Sequence, residues 1–302
     1  MSSKSKILLP PEVRERLARL EVHARSLVEG SMTGLHKSPY HGFSVEFAQH
    51  REYTWGDDMK HLDWKVFARS DRYYIKQYEE ETNLIATFLL DCSESMLYRS
   101  PSNRQVSGTK YEYGALAACA LSFILLRQQD SAGLMLFDND IVGNIPPSSH
   151  PLTLRNFARA IQEVSPKEES EIGKLFHRLA EDIRRRGVVF VVSDFFFPRE
   201  DLISGLRHLR HRGHEVVLFH VMDPDELEFP FDDNTRFDGF EVPRSMLVEP
   251  RSLRDAYLDV ISDFRREVEQ ACSDSRVDYL LLDTSKPLQT VLSEYLATRK
   301  RR

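Results

Sequence analysis

Three oxygen-bearing side chains fall at alternate positions in Asp91-Cys92-Ser93-Glu94-Ser95-Met96, directly after an apolar run that begins at Leu84. In an extended or turning loop this spacing sends the carboxylate and both hydroxyls to one side, and Cys92 and Glu94 to the other. Hard oxygen donors with few carboxylates and room for water suit Mg2+, or Mn2+, in octahedral geometry, whereas Zn2+ would call for His or Cys. A second apolar run, 188–194, also closes on an acid, Asp194. If the two runs are neighbouring strands, Asp91 and Asp194 face one crevice at the carboxyl edge of the sheet, where ligands of open parallel sheets gather. The competing reading is local, with Ser93 and Ser95 capping the turn or helix that follows.

The elements that must hold these groups follow from the hydrophobic pattern. Strand-like runs at 85–91, 133–137, 188–194, 215–221 and 277–283 alternate with helical periodicity at 111–129, 154–164, 172–186, 201–212, 253–272 and 288–298. Such alternation implies right-handed crossovers and a mostly parallel sheet covered on both faces, a doubly wound, Rossmann-like α/β domain over 85–302. Asp138-Asn139-Asp140 reads as a tight turn into an antiparallel edge strand at 141–145, and 223–250 as an inserted loop with a short β piece near 237–242. Residues 1–84 differ: an amphipathic helix over 10–29, then two extended segments, 43–53 and 73–81, around the turn signal Trp55-Gly56-Asp57-Asp58. The aromatic content of that extension, including Phe47, Trp55, Trp64 and Tyr73, predicts that it packs on the α/β domain.

Two motifs in series carry a family resemblance. Asp91-Cys92-Ser93-Glu94-Ser95 resembles the Asp-x-Ser-x-Ser motif of von Willebrand factor A domains, whose metal-ion-dependent adhesion site holds a divalent cation that a partner's carboxylate completes. Upstream, FAQHREYTWGDD at 47–58, HLDWK at 61–65, Ala68-Arg69 and Glu80 resemble the signature of the bacterial DUF58 family, commonly encoded beside MoxR-type AAA+ ATPases. The resemblance runs from about Gly30 to the C-terminus. It implies first-loop ligand roles for Asp91, Ser93 and Ser95 and a water-mediated role for Asp194. The family's remaining hydroxyl ligand, a threonine, falls at Ser170 of Glu168-Glu169-Ser170, with Thr153 as the alternative.

Other clusters have plainer readings. His208, His211 and His214 lie among Arg207, Arg210 and Arg212, which describes a solvated cationic helix end. Asp138 to Asp140 begins like a calcium loop, but Val142 and Gly143 break that ligand pattern and leave a turn. Arg51, Asp57, Asp58, Asp63 and Arg69 read as an ion-pair and turn network, and Arg299 to Arg302 as a solvated basic end. Cys92, Cys119 and Cys272 are odd in number with no Cys-x-x-Cys pair, consistent with reduced thiols.

Composition narrows the function classes. The 302 residues are 41% hydrophobic and 29% charged, as in an ordinary globular protein. A net charge of −6 argues against a nucleic-acid surface, and the lack of a signal peptide or a spanning apolar stretch predicts a cytoplasmic protein without an integral membrane span. Neither a Walker-type phosphate loop nor a Gly-x-Gly-x-x-Gly turn after a strand is present. The expectation is a non-enzymatic adaptor that binds an unknown protein client and a MoxR-type AAA+ ATPase through a Mg2+-type site. The alternatives are a metal-dependent phosphoryl-transfer hydrolase using Asp91 as nucleophile, or a metal-free interaction scaffold.

Overall fold

The computed structural model describes residues 22, 24, 25, 28, 46–54, 62–79, 84–100, 108–138, 140–164, 178–233, 235–238 and 245–299. The chain forms two compact units, Tyr40–Leu84 and, separately, Ile85–Arg302 together with Met1–Pro39.

In the smaller unit, β1 (Glu46–Glu52) pairs antiparallel with β2 (Tyr74–Glu79), and α1 (Trp64–Ser70) joins them. Asp63, expected in an ion-pair and turn network, is the N-cap of α1, its carboxylate accepting the N–H groups of Lys65 at 2.9 Å and Val66 at 3.2 Å. Phe67 and Tyr73 stack with centroids 4.5 Å apart. The turn at 55–58, with Asp57 and Asp58, lies outside the described residues.

In the larger unit β3 (Ile85–Asp91) leads through α2 (Lys110–Arg127) to β4 (Ser131–Phe137), and a tight turn adds the edge strand β5 (Ile141–Ser148). After α3 (Thr153–Glu163) the chain continues through β6 (Val188–Ser193), α4 (Arg199–His211) and β7 (Glu215–Met222). The insertion consists of the short helix α5 (Pro224–Glu228) and a hairpin of β8 (Thr235–Asp238) and β9 (Ser245–Val248). The last elements are α6 (Pro250–Asp274), β10 (Asp278–Asp283) and α7 (Leu288–Arg299). The sheet order is β10-β7-β6-β3-β4-β5, parallel except for the β4–β5 pair. Strand order therefore reverses between β3 and β6.

The inner strands are buried on both faces, which explains their unbroken apolar runs. On one face, Leu89, Val191 and Leu218 pack against Leu202 and Leu206 of α4 and Val268 of α6. On the other, Gly114 brings α2 so close that a Cβ there would lie 2.8 Å from Val192 and 3.5 Å from Leu90. Also on that face, Phe88 and Phe190 stack at 4.8 Å. The capping box of α2 is complete: Thr109 Oγ1 accepts from Glu112 N at 3.2 Å, and Glu112 Oε2 accepts from Thr109 N at 2.6 Å.

The helix expected over 172–186 is helical in its described part only to 182, and 172–177 lie outside the described residues. What ends it is the entry to β6. A Cβ on Gly187 would meet the Ile85 carbonyl oxygen at 2.0 Å, so the chain needs a glycine to pass this backbone. Gly187→Ala is expected to lower stability by about 1–3 kcal/mol, read as a shifted denaturation midpoint with unchanged slope.

The expected solvated basic end is corrected at Arg299, which pairs with Asp278 and Glu215, while 300–302 lie outside the described residues. His214 is corrected too. It is buried, and burial first, then Arg212, pulls its pKa below the ordinary histidine value, so it is a neutral core side chain and not part of a solvated end.

Candidate metal centre at the carboxyl edge

Asp91 ends β3 and Ser193 ends β6, at the point where strand order reverses and crossovers leave in opposite directions. The pairing Leu90↔Val192 puts these two residues side by side at the next position. Asp91 is buried, and both carboxylate oxygens accept hydrogen bonds, Oδ1 from Ser93 N at 2.8 Å and Oδ2 from Ser193 Oγ at 2.5 Å. Burial, and then the nearby Asp194 carboxylate, raise the Asp91 pKa to about 7, against the pull of the Ser193 and Ser93 hydrogen bonds. The bond from Ser93 N to Asp91 Oδ1 bends the chain sharply after β3.

That bend presents the serines. Ser93 is the N-cap residue of a single 3-10 turn, Glu94–Leu97, yet its side chain makes no capping bond. Its Oγ lies 3.1 Å from Ser95 Oγ, and both residues are partly open to solvent while Cys92 and Glu94 are buried. The alternation expected from the sequence is thus observed. Adjacent corners of a Mg2+ octahedron, with ligands at 2.0–2.1 Å, are separated by about 3 Å. The two hydroxyls already have that spacing, and the spare lone pairs of Asp91 lie next to them, so the donor set fits a hard divalent cation. Cys92 is spoken for: its thiol donates to the Phe137 carbonyl at 3.0 Å, and burial pushes its pKa well above the ordinary thiol value.

Asp194 follows Ser193 and is equally buried, but its Oδ2 accepts from Lys110 Nζ at 2.7 Å, while its Oδ1 accepts from Phe196 N at 3.3 Å. Lys110, the first residue of α2, is fully buried; its ammonium also donates to Glu226 Oε1 at 2.6 Å and lies 4.8 Å from the Phe196 ring centre. Burial is the largest influence on this amine and works against the charge, yet the two carboxylates together outweigh it and hold the pKa above the ordinary lysine value.

Ser170 lies outside the described residues. Thr153 is corrected: it opens α3 beside the opposite edge, because β5 runs antiparallel and Ser148 pairs with Ala132 near the start of β4. Only the far end of α3 reaches the carboxyl edge, where Tyr111 Oη donates to the Ile161 carbonyl at 3.0 Å. Asp138 and Asp140 form the expected turn, with Asp140 N donating to Asp138 Oδ1 at 3.0 Å. Among the described residues, no group of three or more His, Cys, Asp or Glu side chains is placed to hold a metal, the histidines of α4 included.

Sequence reasoning missed Ser193, Lys110 and Glu226. Ser193 had a readable signal, its position in phase with Asp91 on a second strand ending in an acid. Lys110 had one in the Thr109-x-x-Glu112 capping box, which starts α2 one residue earlier than the hydrophobic pattern indicates.

A doubly wound sheet with one antiparallel edge and an Asp-x-Ser-x-Ser loop at its switch point defines a von Willebrand factor A-like domain. More particularly, the chain belongs to the DUF58 family, described as a protein of unknown function, which is matched over residues 49–267. It is 23% identical over 298 residues to uncharacterized protein Rv1480 of Mycobacterium tuberculosis, covering 96% of this chain and 91% of that one. Uncharacterized protein Mb1516 of Mycobacterium bovis matches to the same extent. Among solved structures it is similar to the conserved hypothetical protein BatB of Bacteroides thetaiotaomicron, with a TM-score of 0.48, 16% identity, and coverage of 72% of this chain and 100% of that one. It is also similar to the SpRpn10 VWA domain, with a TM-score of 0.38, 15% identity, and coverage of 70% and 94%.

Proposed function

We propose that this chain is a non-enzymatic cytoplasmic adaptor that binds protein partners through a divalent cation, Mg2+ or Mn2+, held by Asp91, Ser93 and Ser95. Asp194 stands behind them and Ser170 is the further hydroxyl ligand. The observation that carries the reading is the pair of uncapped, partly exposed serine hydroxyls 3.1 Å apart beside a buried carboxylate at the switch point. When bound, the cation supplies a positive charge with a coordination position open to a partner's Asp or Glu. The residues of this chain orient it: Asp91 shapes the loop through Ser93 N, and Ser193 fixes the Asp91 carboxylate.

The partner in this reading is a MoxR-type AAA+ ATPase together with a protein client, on the strength of the DUF58 membership. No described helix is long and apolar enough to cross a membrane. The phosphoryl-transfer alternative draws less support, since enzymes that use a strand-terminal aspartate as nucleophile beside Mg2+ want a second aspartate two residues on, where this chain has Ser93.

Capture of a MoxR-type AAA+ ATPase from the same organism by the immobilised native protein is expected in Mg2+ and to fall at least about tenfold in EDTA or in Asp91→Ala. Equal capture under all three conditions would place the interface elsewhere, and no capture would remove the partnership.

A further inference from the structure

Lys110 is an unusual residue for the neighbourhood of a cation site. Its ammonium is fully buried at the first position of α2, and it is shared between Asp194 at 2.7 Å and Glu226 at 2.6 Å. These carboxylates come from two different strand ends, Asp194 directly after β6 and Glu226 from the short helix after β7. Phe196 closes over the ammonium at 4.8 Å. A buried charge held this way is paired on two sides and cannot rotate into solvent. Glu226 is fixed in turn, its Oε2 accepting from Asp223 N at 2.8 Å in the capping box of α5.

We infer that Lys110 is a built-in cation that takes Asp194 out of direct competition for the metal and so sets how tightly the divalent ion binds at Asp91, Ser93 and Ser95. This inference rests on the metal reading above. Counted with the cation bound, which favours the Asp91 carboxylate, the formal charges of Asp91, Asp194, Glu226 and Lys110 sum to −2, and one divalent ion balances them. Without the ammonium the same three carboxylates would sum to −3 and Asp194 Oδ2 would be open to the metal or its water. Lys110 therefore weakens cation binding by its charge and by its hold on Asp194. Glu226 works the other way: by sharing the ammonium it loosens that hold.

The two partners of the ammonium thus predict opposite signs. In protein stripped of metal and titrated with Mn2+ by calorimetry, Lys110→Met is expected to bind about tenfold more tightly than native, or better. Glu226→Gln, in which the ammonium has only Asp194 left, is expected to bind more weakly than native by a similar factor. Thermal melts supply the second readout, because Lys110→Met leaves the buried Asp194 and the largely enclosed Glu226 without their counter-ion. Its melting temperature should drop in EDTA and recover in Mn2+ by more than the native protein gains.

Unchanged Mn2+ affinity in both variants, with native binding intact, would overturn the inference and leave the metal reading standing. Weakening in both would also overturn it, since it would mark the triad as a structural support only. Absence of Mn2+ binding in native and both variants would overturn the inference and the metal reading together. Binding by Lys110→Met alone would support the inference and show that the native site is closed to metal by its own lysine.

Discussion

Asp91→Asn in metal-free protein is expected to be more stable than the native chain at about pH 8 by on the order of 4 kcal/mol, and by well under half of that at about pH 5. The native carboxyl is held above its ordinary value of 3.8, at about 7, by burial and by Asp194. Over that window the folded protein keeps a proton that the unfolded chain has released, so native stability falls as pH rises from about 4 to about 7 and levels off above. Asparagine has no charge to desolvate; its amide oxygen can still accept from Ser93 N, while its NH2 group donates to Ser193 Oγ and so reverses the native bond. A saturating divalent cation should reverse the ranking at high pH, because it favours the Asp91 carboxylate and has no such partner in asparagine. Urea denaturation of both proteins in EDTA and in Mg2+ at the two pH values checks this. Parallel pH profiles for the two proteins would show that Asp91 carries no such burden.

Much of this site was legible because its signals are local. The run 85–90 is almost wholly apolar and stops at Asp91, so the end of β3 at that aspartate followed from pattern alone. That β6 neighbours β3 stands in the sequence only as a condition, and the pairing Leu90↔Val192 meets it. What was not legible is what only long-range pairing decides. Lys110 meets acids 84 and 116 residues away in sequence, and the capping box beside it marks a helix start but not that its ammonium is buried. His214 looked like its arginine neighbours in sequence, yet it lies past the end of α4 where the chain turns back into the core. Arg299 is an end residue by number but packs beside β10 through Asp278. Thr153 failed for a topological reason: the antiparallel edge strand returns the chain to the wrong end of the sheet before α3 begins.

Replacing both hydroxyls, Ser93→Ala with Ser95→Ala, is expected to lower divalent-cation affinity by at least about 100-fold, since loss of even an outer partner of a metal ligand costs 10–100-fold. Stability in EDTA should change by no more than about 1–2 kcal/mol, because the serines are partly solvated and lose their mutual hydrogen bond and the side-chain bond from Ser93 to Asp91. Electron paramagnetic resonance of Mn2+ added to metal-free protein reads this directly, as only the free aquo ion gives the full signal. The native chain is predicted to quench about one equivalent and the doubly substituted chain essentially none. Equal quenching by the two proteins, or no quenching by the native chain, would contradict a cation site at Asp91, Ser93 and Ser95.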